Sequence, residues 1–290
     1  MSDLLSNVIR IGGVPEHFNL PIHLAIERGL FEQRGVQVEW TTFKGGTGQM
    51  NQALRNGEID LCILLTEGII TDIINGNPSK IISNYVTSPL TWGIHTAADN
   101  PIDRYQDIFE RQYAISRFGS GSHLMAIVDA NSKGHELQKS QFSVIKNLEG
   151  ALHSLAAHET DVFYWEKYTT KPFVKSGQLK RVGEYVTPWP CFMIAATDKV
   201  LAQQPENVIR TLRTIHDISD EFMQQEDEAI SMVSARYGQR MRDVNRWFHT
   251  TEWAIHGWVA DKMLKGVIYH LKMAEIIAED AVIPELIWRR

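Results

Sequence analysis

Apolar and polar positions along the chain follow two periods, one near two residues and one near three and a half, and the switches between them mark out the elements. Residues 8–11 have a short β-type pattern and lead into a polar loop over 13–19. Pro21 stands where a first helical turn tolerates proline, and Ile22, Ala25 and Ile26 follow at helical spacing until Gly29 or Gly35 ends the element. Residues 36–43 alternate as a strand. Lys44-Gly45-Gly46-Thr47-Gly48 reads as a turn into a helix carrying Met50, Ala53 and Leu54 on one face. Residues 59–65 are continuously apolar, as a strand buried on both faces of a parallel sheet is.

A similar order recurs further on. Residues 113–116 predict a strand, Arg117-Phe118-Gly119-Ser120-Gly121-Ser122 a loop, Leu124, Ile127 and Val128 a helix, and 142–145 another strand. A helix with Leu148, Ala151, Leu152 and Leu155 then leads to a strand over 161–164. Residues 53–61 and 154–162 overlay without a gap, each reading helix, short turn, Glu-x-Asp, strand. Strands alternating with single helices argue for βαβ units, and the recurrence argues for two related lobes. Between the halves, 81–96 is extended and rich in Thr and Ser around Pro89. After the second half, Val186-Thr187-Pro188-Trp189-Pro190 precedes an apolar strand over 191–196. Two such extended crossings suit a double hinge. The remainder predicts a helix over 205–223, with Val208, Ile209, Leu212, Ile215 and Phe222 on one face, and a long helix over about 252–279, both packing on the first lobe.

The run from Leu20 to Val36, with Pro21, Ala25, Gly29, Phe31 and Gly35, resembles the opening helix of type II periplasmic-binding-protein-like folds. The group concerned contains nitrate, sulfonate and taurine binding proteins and the thiamine-pyrimidine synthases. The Gly-Gly-Thr-Gly turn, the Gly57-Glu58-Ile59-Asp60 turn and the Asp161…Trp165-Glu166 stretch match its usual features, over about residues 8–225. The resemblance implies an α/β protein of two lobes, each a mixed sheet flanked by helices, joined by a double-strand hinge. Lobe 1 is expected from 1–92 and 193–290, and lobe 2 from 93–192. Two features depart from the group: the leader of its secreted members is missing, and so is the Cys-rich motif of the thiamine-pyrimidine synthases, whose His before the helix is replaced by Asn19-Leu20-Pro21.

Composition narrows the function. The 290 residues are 43% hydrophobic and 22% charged, with a formal net charge of −6 and scattered basic residues. That gives no attraction for nucleic acid or an anionic membrane, and no run has the roughly 18–20 apolar residues of a membrane span. Cys62 and Cys191 lie in apolar runs, the usual place of buried, reduced thiols. No Cys-x-x-Cys or His-Glu-x-x-His spacing points to a metal, and no cofactor is expected; His153, His158, His249 and His256 read as surface residues. Residues 1–13 lack a basic region followed by an apolar one and a cleavage site, so the expected location is cytoplasmic.

Ligand chemistry in such folds lies beyond the carboxyl ends of the strands. Three loops should arrive there. In the first, Glu16, His17, Phe18 and Asn19 suit solvent or ligand contact better than acid–base catalysis, since sequence neighbours rarely face one target. In the second, Gly46, Thr47 and Gly48 offer amides at a helix N-terminus, with Thr47 as N-cap the plain structural alternative. The third, Arg117, Gly119, Ser120, Gly121, Ser122 and His123, lacks a Gly-x-Ser-x-Gly elbow and reads as an anion-binding helix N-terminus. The Gly46–Gly48 and Gly119–Ser122 amides are expected to face each other across the interlobe cleft. Thr66 and Glu67 end a buried strand, Tyr85, Ser88, Trp165, Glu166 and Trp189 lie near strand ends or hinges, and Phe18, Trp165 and Trp189 would wall the apolar side of a ligand.

The expected function is therefore that of a solute-binding protein closing on a small anionic or polar metabolite, with an ABC permease as partner if the chain is exported. The alternative is a cytoplasmic biosynthetic enzyme of the same fold, of the thiamine-pyrimidine or menaquinone-pathway kind; a regulator's effector domain is the third. No nucleophile or acid–base set stands out, which keeps binding ahead of catalysis.

Overall fold

The computed structural model describes residues 7–289; Arg290 and the first six residues, on which part of the N-terminal reading rests, lie outside the described residues. The chain packs into two compact units. The first is the chain up to Ser88, Trp189–Leu264 and the stretch from Val282 on; the second is Pro89–Pro188 with Lys265–Ala281. Residues 265–281, which the sequence pattern assigns to lobe 1, thus fall in the second unit, so the chain passes between units four times rather than twice.

The first unit opens with β1 (Val8–Gly13), α1 (Leu20–Glu27), β2 (Gln37–Thr42), α2 (Gly46–Arg55), β3 (Leu61–Leu65), α3 (Thr66–Ile74) and β4 (Ser79–Val86). The second contains β5 (Thr91–Ala97), β6 (Tyr113–Ile115), α4 (Gly121–Ser132), β7 (Phe142–Val144), α5 (Leu148–Ala156), β8 (Val162–Glu166), α6 (Lys171–Lys175) and β9 (Leu179–Val186). The chain then returns through β10 (Phe192–Thr197), α7 (Asp198–Gln203), α8 (Pro205–Gln224), α9 (Glu226–Tyr237), α10 (Met241–Phe248) and α11 (Asp261–Met273).

Each unit holds one mixed five-stranded sheet, in the orders β2-β1-β3-β10-β4 and β7-β6-β8-β5-β9. In both, one strand from the far side of a crossing lies antiparallel among parallel ones: β10 between β3 and β4, and β5 between β8 and β9. The central strands carry the apolar runs. The side chains of β10 are buried along its whole length, and only Leu65 of β3 is partly exposed. The edge strand β2 alternates between exposed and half-buried positions.

Several elements went unread in the sequence, α3, β9, α9 and α10 among them. α3 follows β3 without a loop, so Thr66-Glu67-Gly68 begins a helix rather than ending a strand. β9, Leu-Lys-Arg-Val-Gly-Glu-Tyr-Val, is an edge strand whose polar residues hide its period. α9 and α10 fill the stretch after α8. The expected helix over 252–279 is also cut short, because 252–254 run extended beside β4 instead. Thr87 N–H donates to the Glu252 carbonyl at 2.8 Å and Ala254 N–H to the Tyr85 carbonyl at 2.9 Å. That path buries Trp253 and lets its indole N–H reach the Phe18 carbonyl at 3.0 Å.

α8 packs on the first unit as expected, and α9, which the sequence pattern did not predict, packs there beside it. Val208, Ile215, Ile218 and Phe222 of α8 are buried, while Arg28–Glu221 and Arg236–Glu27, both at 2.6 Å, tie α8 and α9 to α1 and its C-terminus. Cys62 and Cys191 are both buried and are not joined in a disulfide. Among the described residues no helix is long and apolar enough to cross a membrane.

Candidate functional site

Parallel strands bring the loops that follow them to one edge of their sheet, and a strand antiparallel to them starts at that edge. In the first unit this collects the loops after β1, β2, β3 and β4 and the segment entering β10. The sequence-predicted residues 16–19, 46–48, 66–67, 85–88 and 189 therefore share one edge. In the second unit the same logic collects 117–123, 165–166 and the segments flanking Pro89 and Pro188.

Along the β1 loop the structure redirects the side chains. His17 is neither exposed nor poised for chemistry: it is 1% exposed, stacked on Phe18 at 4.8 Å and set edge-on to Trp247 at 4.2 Å. Burial pushes its pKa down to about 3, so it stays neutral. Its Nδ1 lies 3.4 Å from Gln239 Nε2, and its Nε2 is buried without a partner. The Phe18 carbonyl accepts from both Tyr85 Oη, at 2.8 Å, and Trp253 Nε1, which makes Tyr85 a strut of the loop. Asn19 donates back to the Val14 carbonyl at 2.8 Å and leaves its buried Oδ1 unpaired. Glu16, half-buried, begins the turn, accepting from the Asn19 N–H through its carbonyl at 3.1 Å.

Gly46 has φ 65° and begins α2, whose N-cap is Gly45 rather than Thr47. Thr47 instead lies one residue inside the helix, where its hydroxyl accepts from Leu65 N–H at 3.3 Å and so pins α2 to the end of β3. The first-turn amides, Thr47 and Gly48 among them, have no carbonyl partner inside the helix. Past β3, Thr66 Oγ1 donates to the Pro190 carbonyl at 2.5 Å. Glu67 is 1% exposed; Trp189 Nε1 donates to its Oε2 at 2.9 Å, and its Oε1 has no partner. Burial raises this carboxyl to about 7 against the pull of the indole bond. Ser88 Oγ accepts from Glu252 N–H at 3.1 Å, holding the extended 252–254 segment.

In the second unit the loop before α4 is built from its own polar groups. Ser122 Oγ accepts from Ser116 N–H at 3.0 Å, Ser120 Oγ from Arg117 N–H at 3.4 Å, and the two hydroxyls lie 3.0 Å apart. His123 Nδ1 accepts from Gly119 N–H at 3.1 Å. Burial lowers the imidazole to about 4, which suits a neutral ring whose Nδ1 is an acceptor. Gly119 takes φ 75° to make the turn. Gly119 and Ser120 amides are thus spent inside the loop, and those left at the open end of α4 are Gly121 and Ser122. Arg117 is half-buried beside them and Phe118 is 45% exposed.

Trp165 and Glu166 have structural partners. Trp165 stacks on Phe163 at 5.2 Å and packs on the apolar cluster around Ala151 and Leu155. Both Glu166 oxygens serve the turn after β8, accepting from Tyr168 N–H at 2.9 Å and from the Thr169 N–H and hydroxyl at 2.6 and 2.7 Å. Residues that the sequence did not single out, Trp247, Trp253 and Gln239, close over the β1 loop. Trp253 fell at the start of the long helix expected over about 252–279, and Gln239 and Trp247 lay before it.

The chain has the type II periplasmic-binding-protein-like fold. Residues 92–185, within the second unit, match the family model described as Ca3427-like PBP. The structure of the Candida albicans CA3427 gene product, described as defining a new family with the generic periplasmic binding protein fold, aligns with TM-score 0.89 and 25% identity, over 94% of this chain and 92% of that one. The alkanesulfonate-binding protein SsuA from Xanthomonas axonopodis pv. citri, bound to MOPS, aligns with TM-score 0.81 and 14% identity, over 98% and 99%. The ligand-binding component of an ABC-type import system from Staphylococcus aureus, with zinc bound, aligns with TM-score 0.70 and 14% identity, over 93% and 92%. No curated protein sequence matches the chain.

Proposed function

We propose that this chain, with its periplasmic-binding-protein fold, is a solute-binding protein that takes a small anionic molecule at the carboxyl edges of its sheets. The observation that carries this is the pair of glycine turns at those edges. Gly46 and Gly119 both take positive φ, and each turn starts a helix whose first amides have no internal partner. Such amides, with the partial positive charge of the helix end, favour an oxyanion. Arg117 adds a full positive charge at the second turn. That structural neighbours include a sulfonate-binding protein and an import component agrees with an acidic solute and with a permease partner. An enzymatic role is disfavoured by the hydrogen bonds themselves. His17 and His123 are buried and neutral, and the Ser120 and Ser122 hydroxyls are committed to backbone amides or to each other.

The test is a thermal-shift screen against small carboxylates, sulfonates and phosphates, followed by calorimetric titration of any hit. Arg117→Ala and Gly121→Glu should each weaken binding by about one to two decades, the worth of a charge-assisted hydrogen bond, with the fold intact. Unchanged affinity in both variants counts against the site. The cytoplasmic location belongs to the same proposal; recovery of the native gene product outside the cytoplasm on cell fractionation overturns it.

A further inference from the structure

Four carboxyl side chains among the described residues are buried: Glu67, Asp129, Glu166 and Asp243. Asp129 accepts from the hydroxyls of Tyr105 and Tyr164, and Glu166 from three donors of its own turn. Asp243 is engaged as well. Glu67 alone keeps an oxygen, Oε1, without a hydrogen-bond partner. A buried carboxyl oxygen left unpaired is costly, so a fold that needed Glu67 only as an anchor for Trp189 would be better served by an amide or a hydroxyl.

Its surroundings say what kind of partner Oε1 lacks. Trp189 Nε1 is a donor, and Glu67 stands in the first turn of the nine-residue α3, where the helix dipole favours a negative charge. The strand before it, β3, is paired with β1, and the loop after β1 presents a second buried acceptor without a partner, Asn19 Oδ1. The amide nitrogen of Asn19 is already given to the Val14 carbonyl, which fixes the oxygen as the free atom. Two unpaired acceptors at the ends of two paired strands call for hydrogen-bond donors. The helix N-terminus of α2 on the same edge calls for an acid.

We propose that Glu67 Oε1 is a solute-recognition atom, accepting a nitrogen-bound hydrogen with Asn19 Oδ1 as a second acceptor, so that the solute carries an ammonium, amidinium or amide group besides its acidic one. This rests on the solute-binding function above and narrows it from an anion to a molecule with both an acid and an N–H donor.

The experiment offers the full chain matched probes that differ only in an amino or a methyl end: β-alanine against butyrate, 2-aminoethanesulfonate against propanesulfonate, and 2-aminoethylphosphonate against propylphosphonate. Affinities are measured by calorimetry for wild type, Glu67→Gln and Glu67→Met, with thermal unfolding recorded for each. The expected result is an amino member bound about tenfold or more tighter than its methyl twin, with that preference lost in both variants. Equal affinities within each pair, or a preference unchanged in Glu67→Gln, overturn the assignment of Glu67. Failure of every probe to bind, in either member of each pair, overturns instead the solute-binding function on which the assignment rests. Glu67→Met keeps the comparison decisive should Glu67→Gln not fold.

Discussion

His158 holds the left-handed backbone conformation, φ 54°, that Gly57 holds at the matching point of the first unit, φ 66°. The two turns agree bond for bond. Gly57 N–H donates to Leu54 at 3.0 Å and His158 N–H to Leu155 at 3.1 Å; Glu58 N–H donates to Ala53 at 2.9 Å and Glu159 N–H to Ser154 at 3.0 Å. The aspartates that follow do the same work. Asp60 accepts from Arg10 N–H at 3.0 Å and Asp161 from Gln112 N–H at 3.2 Å, each bracing the strand beside it. Only glycine takes this conformation without steric cost, which for other residues is about 1–2 kcal/mol.

His158→Gly should therefore raise stability by about 0.5–1 kcal/mol, the relief of that cost less the extra freedom of glycine in the unfolded chain. The exposed 3.5 Å contact of His158 with Asp99 offsets little of it. Gly57→Ala should lower stability by a similar amount. Denaturant midpoints of both variants decide it; a destabilised His158→Gly would show that the turn is not strained.

The core of the second unit turns on Asp129, whose carboxylate takes the Tyr164 hydroxyl at 2.6 Å and the Tyr105 hydroxyl as well. Burial raises the Asp129 pKa and the two hydroxyls oppose that shift. Tyr164→Phe removes one donor from a buried acid and should cost about 1–3 kcal/mol in urea unfolding. Loss of both donors in the Tyr105→Phe, Tyr164→Phe double variant should exceed the sum of the single losses. Strict additivity would count against a shared network.

Acid should unfold the protein from an unusually high pH. Burial lowers His17 to about 3 and His95, His123 and His216 to about 4, from an ordinary 6.5. For each, the neutral native ring contributes stability that is complete above pH 6.5 and is lost as pH falls toward the folded value, by about 1.4 kcal/mol per pH unit. Glu67 acts the other way: raised to about 7, its contribution is complete below 4.5 and fades as pH rises through 7. Four histidines outweigh one glutamate between pH 6.5 and 4.5. Calorimetric melting temperatures should fall steeply across that interval, and less steeply in His17→Phe, which keeps the ring stacking. Equal melting temperatures at pH 7 and 5 would contradict it.

How far the sequence could be read depended on whether a signal was local. The repeat over 53–61 and 154–162 was legible because each copy carries its own turn, aspartate and apolar strand. β9 was not, since an edge strand with Lys180, Arg181 and Glu184 shows no alternation until its partner β5 is known. The 252–254 strand-like segment was invisible for a related reason: Trp253 is extended because Phe18, 235 residues away in the chain, needs its indole. Among the site residues, loops were found and orientations were not. Glycines mark where a backbone must turn, whereas His17 and Glu166 reveal that they point into their own unit only through long-range or side-chain contacts.

A close side-chain constraint at the first unit's edge joins α2 to α3. A Cβ on Gly68 would lie 2.4 Å from Thr47 Cγ2, far inside van der Waals contact, while the Thr47 hydroxyl accepts from Leu65 N–H. Gly68 is buried in the first turn of α3 and Thr47 in that of α2, so neither can step aside without moving its helix. Gly68→Ala should accordingly destabilise by about 1–3 kcal/mol as an overpacked core site does, despite the better helix propensity of alanine. Thr47→Ser removes the offending methyl and keeps the hydroxyl, and alone should cost under about 1 kcal/mol. Combined, the two substitutions should recover most of the loss, giving a coupling of at least about 1 kcal/mol in a double-mutant cycle by denaturant titration. A cycle that closes without coupling would mean that Gly68 is required for its backbone and not for its contact with Thr47.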